Sequence, residues 1–575
     1  VLREKLKILL FHISSKLKRL CNQYIYHQWL ETIAPDPSRT DERIQSMRYH
    51  PLFSIILTTY NSNISFLKEL IDLISNQTYT NFEVCICDDG SNDVRLINYL
   101  QKLSDESSKF KLVLSGKNRG IASSTNQAMD IASGDFVVFC DHDDTMEPFA
   151  LEMFALYINK FPDAELLYSD EDMMDQNGWR HSPRLQPDWN PDMFMSHMYF
   201  MHLICCKKDV IDKIGRMNSE FDGAQDYDFF LRVTEKIRNI VHVPLILYSW
   251  RMVPGSIAFD PAAKMYAYRS GTKALEAALD RRNEDAVVIK AQGAGLGLYR
   301  VKRKVKNTFV SHIVEGISEN VLEAVRSIRV LAQVPVEIIV VIDETSKNTL
   351  KILSNENSVK VVTVPKNTRR ATKYNIGAKH ASFKNLIFSD ENIEVLNSEY
   401  PLAILEHTQR SEIGAVGVKL TYPNGKFYHT GMILGVNGVA GYAFRNIFQG
   451  PGHWRYAVLI RNFSAVSWDF IGVDKDKYNE VGGFDENIAF YEDVDFCLKL
   501  IKRGYRNLYT PYVEGVLKRG IHSLEELRNK DAEKVLMERY GDYILNDPYY
   551  HPLHSKVIED FSIDQFVTNQ FSMSK

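Results

Sequence analysis

Two stretches of this chain alternate short apolar runs with helix-length amphipathic segments, and this restricts the fold more than any single residue does. The first begins at PLFSIILTTYN with a strand over 53–59. A helix near 64–76, a strand at 82–88, a helix near 92–103, a strand at 110–114, a helix near 121–132 and a strand at 135–140 follow. Apolar runs this short, closed by polar turns, read as buried strands, and the periodic segments between them read as helices. Strand–helix–strand order calls for a mostly parallel sheet with helices on both faces. A helix over 147–160, a strand near 164–169 and the polar stretch DMMDQNGWRHSPRLQPDWNPDMF come next. That stretch is too long for a simple connection, and long loops on such a scaffold usually carry function.

The second alternation runs FVSHIVEGI, a helix over 318–332, VEIIVVIDET, VKVVTVP, a helix over 370–381, NLIFSDENIEV and VGGFDENIAFYEDVDFCLKLIKRGY. The expected plan is therefore α/β, with two tandem Rossmann-like domains at 51–260 and 306–520. An amino-terminal helix and connector (1–50), a helical linker (261–305) and a carboxyl-terminal segment (521–575, with a helix over 524–540) complete it. At 575 residues the chain is too long for one core, which agrees with this division.

The formal net charge of −4 argues against a general nucleic-acid binder. Seven cysteines, odd in number and with no CxxC pair, suggest neither a disulfide framework nor a zinc site, so a reducing cytosol is the expected compartment. No run of about 18 apolar residues reads as a membrane span. Near the amino terminus, Leu2, Leu6, Leu9, Leu10, Ile13, Leu17 and Leu20 recur at helical spacing among Lys5, Lys7, Lys16, Lys18 and Arg19. This helix is too charged for a signal-peptide core. It fits either an anionic membrane surface, a peripheral contact through 1–31, or docking on the first domain.

Three acidic marks close or follow apolar runs in the first half: ICDDGS at 86–91, FCDHDDT at 139–145 and FDGAQDYDFFLR at 221–232. Ligands of open α/β sheets bind at the carboxyl ends of the strands, where these marks fall. Asp141, Asp143 and Asp144 stand directly after a strand, and clustered carboxylates stay ionised at modest cost only around a cation. A hard divalent ion, Mg2+ or Mn2+, sharing its shell with phosphate oxygens suits them, against the plainer reading of a solvated acidic turn.

ILTTYN, CDDGS, NRGIASSTNQAM, DHDDT, LLYSDED, RLQPDWNPDMF, FDGAQDYDFFLR and LYSWRMVPGS, in that order, resemble the family 2 inverting glycosyltransferases of GT-A fold, close to those that build bacterial rhamnan, O-antigen and capsule chains. The resemblance covers about 51–260 and, more loosely, 308–515. It implies that Thr59, Tyr60, Asp89 and Arg119 hold the nucleotide part of a nucleotide diphosphate sugar. It implies Asp141 and Asp143 as the pair meeting ribose and metal, Asp226 as catalytic base, and Trp250 and Arg251 on the acceptor side. Two departures stand out. Gln225 replaces the Glu usual before the catalytic Asp, and Ser249 replaces a His that can reach the metal, so weaker metal binding is expected.

The second half keeps Asp343 at the nucleotide position and Glu492 and Asp493 at the position of the base. Its metal motif reads Asp390, Glu391, Asn392, with a neutral amide in place of the second Asp, and VSHIVEGIS lacks the Tyr-Asn pair of the first strand. It fits a second transferase, a glycan-binding module or a structural remnant. The expectation is a metal-dependent hexosyltransferase, cytoplasmic with a peripheral membrane contact as one option, that extends a bacterial surface glycan from a UDP- or dTDP-sugar. A bifunctional polymerase, a transferase acting on a surface adhesin and a noncatalytic synthase subunit are the alternatives.

Overall fold

The computed structural model describes residues 23–252, 261–293, 295–354, 358–518 and 529–564. The chain divides into two compact units: residues 1–189, 198–278 and 564–575 form the first, and 190–197 with 279–563 the second. This differs from the expected boundaries. The segment 261–305 is not a separate helical linker: the helix Pro261–Arg281 runs to the division, and a hairpin of Ala286–Lys290 with Tyr299–Arg303 follows in the second unit. Of the carboxyl-terminal segment, residues 529–563 belong to the second unit.

In the first unit the strands are β1 (Phe53–Thr59), β2 (Phe82–Asp88), β3 (Phe110–Leu114), β4 (Phe136–Phe139), β5 (Thr145–Met146), β6 (Leu166–Met174), β7 (Arg180–Arg184), β8 (Ile204–Lys207) and β9 (Ile240–Arg251). The sheet order is β3-β2-β1-β4-β8-β6-β9-β5, with β7 pairing on β6. β3, β2, β1 and β4 are parallel, β8 runs antiparallel to both β4 and β6, and β6 and β9 are parallel again. Every residue of β2 is buried, as expected for an inner strand covered on both faces. Asn63 caps the helix Ile64–Ser75, and Asp93 caps Val94–Glu106. Their buried faces (Leu67, Leu70, Ile71 and Ile74; Leu96 and Leu100) join Ile55, Leu57, Val84 and Val138 in one core. Each such side chain contributes about 1.5–3 kcal/mol when removed from water. The long polar stretch at 172–194 folds largely into the β6–β7 hairpin, and its residues 190–194 belong to the second unit.

The amino-terminal leucine stripe lies outside the described residues. Residues 23–33 are helical, with Tyr26, Trp29 and Ile33 buried. The Tyr26 hydroxyl donates to Asp172 at 2.7 Å, so this part of the segment docks on the first unit. Among the described residues no helix is long and apolar enough to cross a membrane.

The main path of the second unit's sheet repeats that of the first, with one extra short strand, Arg461–Phe463, paired beside it. Val310–Gly316 lies between Val336–Asp343 and Asn385–Asp390, all parallel. An antiparallel strand (Phe470–Asp474) then leads to Ile413–Thr421 and its parallel neighbour Arg506–Leu517. Register repeats too: Phe53 faces Phe82 and Phe136, and Val310 faces Val336 and Asn385. Asn190–His197 packs here through Asn462, whose side-chain nitrogen donates to Asp192 at 2.7 Å, and through Arg410, which meets the same carboxylate at 2.5 Å. The carboxyl-terminal segment is fixed by Asp547, which accepts from the Leu434 amide and the Ser464 hydroxyl, and by the fully buried Phe561.

Candidate functional site

The carboxyl ends of β1, β2 and β4 open into a cleft of about 270 Å3 lined by Thr59, Tyr60, Asp89, Gly120, Asp141 and Asp143 among others. Its floor is rigid. The Thr59 hydroxyl donates to Asp88 at 2.9 Å, and Asp89 accepts from the backbone N–H groups of Arg119 (2.9 Å) and Gly120 (3.0 Å). Asp89 therefore fastens the NRG turn to the end of β2, while the Arg119 side chain is exposed. Gly120 has φ +91°, and a Cβ there would lie 2.5 Å from an Asp222 carboxylate oxygen, so the turn requires glycine. Behind it starts the helix Ile121–Asp130, whose amino-terminal N–H groups and dipole favour an anion in the cleft. Tyr60 stands half-exposed among the lining residues.

Beside this cleft the acidic turn meets a histidine that the sequence had not singled out. His202 places Nε2 3.2 Å from Asp141 and Nδ1 3.2 Å from Glu171, which is itself paired with Arg184 at 2.9 Å. Burial opposes a charged imidazole, yet the hydrogen bonds and charges of Asp141 and Glu171 prevail and raise its pKa well above the ordinary value. For Asp141 the burial penalty is likewise outweighed, by His202 and His142, and its carboxyl titrates below the usual range. Asp144 goes the other way: burial, with Asp141 and Asp143 nearby, pushes it up to about 8. The Tyr248 hydroxyl donates to Asp144 at 2.7 Å and accepts from the Asp141 N–H at 3.1 Å, and its ring stacks on His202 with centroids 4.8 Å apart.

Ligand atoms of Asp141, Asp144 and His202 lie within 4.8 Å of one another. Carboxylate oxygens and one imidazole converging beyond the end of β4 fit a hard divalent ion. Ser249 offers no imidazole, as the sequence showed, and His202, in the bend just before β8, brings one to the acidic turn.

A hollow of about 110 Å3 shares Asp141 with the cleft and is lined by His202, Gln225, Asp226 and Phe230. Asp226 sits in the first turn of the helix Gln225–Thr234 and accepts from the Tyr227 N–H at 2.7 Å. Burial raises its pKa. Gln225 accepts from the Gly223 N–H at 2.9 Å, and so braces the loop instead of adding charge beside Asp226. Arg251 is turned inward: its guanidinium donates to Glu69 (2.8 Å) and to the Asp143 carbonyl (2.8 Å) and lies over the Phe66 ring, while its N–H donates to Asp144. It pins the acidic turn and presents no free cation to an acceptor. Trp250 is half-buried on β9, opposite Met173. The residues after 252 in the expected LYSWRMVPGS motif lie outside the described residues.

The family model for glycosyl transferase family 2 matches residues 54–213 and again 314–464, which together make up more than half of the chain. The chain belongs to glycosyl transferase family 2. It is 30% identical over 536 residues to the uncharacterized protein y4gI of Sinorhizobium fredii, covering 89% of this chain and 59% of that protein. It is 29% identical to the O-antigen biosynthesis protein RfbC of Myxococcus xanthus, covering 90% and 42%. It is 29% identical over 234 residues to the Escherichia coli chondroitin synthase, covering 40% and 34%. The chain thus spans about half the length of the first two relatives. Among solved structures, Staphylococcus aureus TarS 1-349 in complex with UDP-GlcNAc aligns at 20% identity over 40% of this chain and 66% of that one, with a TM-score of 0.34.

The second glycosyl transferase module can be compared position by position through the shared register, in which Gly316, Asp343, Asp390 and Asn392 stand where Thr59, Asp89, Asp141 and Asp143 do. Asp343 meets Lys373 at 3.0 Å. Asp390 takes Arg370 at 2.5 Å on one oxygen and the Asn392 amide at 2.8 Å on the other. Glu391 accepts from the N–H groups of Ile317 and Ser318. Asp493 and Glu492 occupy the first turn of the helix Glu492–Lys502, and burial, reinforced for Asp493 by Asp469, pushes them up to about 8 and about 7.

Proposed function

We propose that the first unit transfers a hexosyl group, with inversion, from a nucleotide diphosphate sugar to a hydroxyl of a growing bacterial surface glycan, UDP- or dTDP-sugars being the donors to try first. The observation that supports this best is the convergence of Asp141, Asp144 and His202 between the cleft and the hollow lined by Asp226. In this reading Thr59, Tyr60 and Asp89 line the place of the nucleoside, and the amino end of the helix Ile121–Asp130 receives diphosphate oxygens. Mn2+ or Mg2+, held by Asp141 and Asp143 of the acidic turn, with Asp144 and His202 converging on Asp141 beside them, would neutralise the departing diphosphate. Asp226 takes the proton of the acceptor hydroxyl as that oxygen attacks the anomeric carbon. The bond to the diphosphate breaks on the opposite face, and the electron pair leaves with the nucleotide. A half-buried carboxylate of raised pKa is a stronger base than a fully exposed one, which suits Asp226 to this step. A glycan product and a cytoplasmic site of action, peripheral to the membrane, complete the proposal.

The test is thermal unfolding of the wild type and of Asp143→Ala with UDP-, dTDP-, GDP- and CDP-sugars, with and without Mn2+. A donor at a hundred times its Kd should stabilise its unit by about 2.7 kcal/mol, and only in the wild type with metal. Equal stabilisation of the variant would contradict the assignment.

A further inference from the structure

Three positions of the first cleft carry small or neutral side chains: Thr58, Ile121 and Ser124 all line it. By the shared strand register and helix start, the second unit has Glu315, Arg370 and Lys373 at those places. Arg370 opens the helix Arg370–His380 as Ile121 opens its counterpart. Its guanidinium reaches three carboxylates at once, Glu315 at 2.7 Å, Asp390 at 2.5 Å and Asp469 at 2.8 Å. Lys373, with a side chain only 1% exposed, meets Asp343 at 3.0 Å and donates to the Gly316 carbonyl at 3.1 Å. The Arg370 guanidinium also lies 4.8 Å from the centroid of the Trp468 ring. Carboxylates brought together at the strand ends need positive charge, and here the chain supplies it from its own helix.

We propose that Arg370 neutralises the carboxylates that would otherwise call for a divalent ion, and that with Lys373 it fills the donor cleft of the second unit, leaving the chain with a single nucleotide-sugar site. The filling of the second cleft stands independently of the transfer proposed for the first unit, and the count of one site rests on that reading. The second module is then not a transferase, despite keeping Glu492 and Asp493. A polymer of two alternating sugars built with this chain takes its second sugar from another transferase or another donor site. The planar guanidinium suits the role because it can bridge several carboxylates with fixed N–H directions and does not lose its proton.

The test is a count of bound Mn2+ by electron paramagnetic resonance, with UDP or dTDP present, in the full chain. The Asp143→Ala variant silences the first unit, and the expected count in the second unit is zero. Adding Arg370→Ala should expose the acid set and bring in about one ion per chain, lost again on Asp390→Asn. Arg370→Lys, which keeps the charge and serves as the folding control by circular dichroism, should bind none there. Two results would overturn the proposal: an ion bound to Asp143→Ala with Arg370 intact that disappears on Asp390→Asn, or a folded Arg370→Ala chain that gains no ion. Failure of the wild type to bind any ion or nucleotide would count against the first unit's assignment and leave the Arg370 comparison readable.

Discussion

At the scale of the residue, His202 holds the site together. It bridges Asp141 to the Glu171–Arg184 pair and stacks on Tyr248, whose hydroxyl ties Asp141 to Asp144. Replacing His202 by Ala should weaken Mn2+ binding at least tenfold, about 1.4 kcal/mol, while leaving the fold intact; titration followed by paramagnetic resonance, with circular dichroism alongside, reads both. Unchanged Mn2+ affinity would show that the imidazole only orients Asp141. Gly120 makes a second, purely steric demand. Any side chain there meets both a left-handed backbone and the Asp222 carboxylate, so Gly120→Ala should cost about 1–3 kcal/mol of stability and lower the melting temperature. Little of this was legible in sequence. His202 lies in the bend just before β8, far along the chain from the acidic turn, and no spacing rule links them. Arg251, by contrast, was visible as a motif residue, but its burial against Glu69 and Phe66 could be learned only from the fold.

At the scale of the element, β2 shows how a strand of this sheet is anchored. Glu83 accepts from the Ser133 N–H (2.6 Å), the Ser133 hydroxyl (2.8 Å) and the Ser54 hydroxyl (2.7 Å), and pairs with Lys111 at 2.7 Å. Burial alone would raise its pKa, but these partners prevail and hold it at about 2. Because the folded value lies below the unfolded one, the stabilisation is complete above about pH 4.5 and disappears as pH falls through 2. Discounted for solvent screening it is on the order of 1 kcal/mol. Glu83→Gln should therefore lower the melting temperature at pH 7 and make progressively less difference towards pH 2. A difference that stays constant with pH would refute the linkage. The parallel strands β1 to β4 were legible because buried parallel strands are continuous apolar runs. The hairpin Ala286–Lys290 with Tyr299–Arg303 was not, since charged residues flank its apolar alternation and a helix had just ended beside it. The antiparallel insertion of β8 between β4 and β6 was hidden for another reason: strand direction leaves no mark in a short apolar run.

At the scale of the whole molecule, two sheets share one strand order and differ in the charge at their strand ends. Duplication is written in the register, with Phe53 and Val310 each facing two partners in the same way, and the sequence showed it as a repeated series of motifs. What the motifs could not show is where charge goes. TRRATK reads as an ordinary basic helix start, and only the fold brings Arg370 against Glu315, Asp390 and Asp469. The retained Glu492 and Asp493 would by themselves have argued for a second active centre. Most directly, the account is tested by the steady-state rate of sugar transfer, with the donor found by thermal unfolding, for Asp226→Asn and Asp493→Asn beside the wild type. It predicts a loss of about 10²–10⁴-fold for Asp226→Asn and a rate and product unchanged for Asp493→Asn. A chain that keeps its rate without Asp226, or loses a linkage without Asp493, would contradict it.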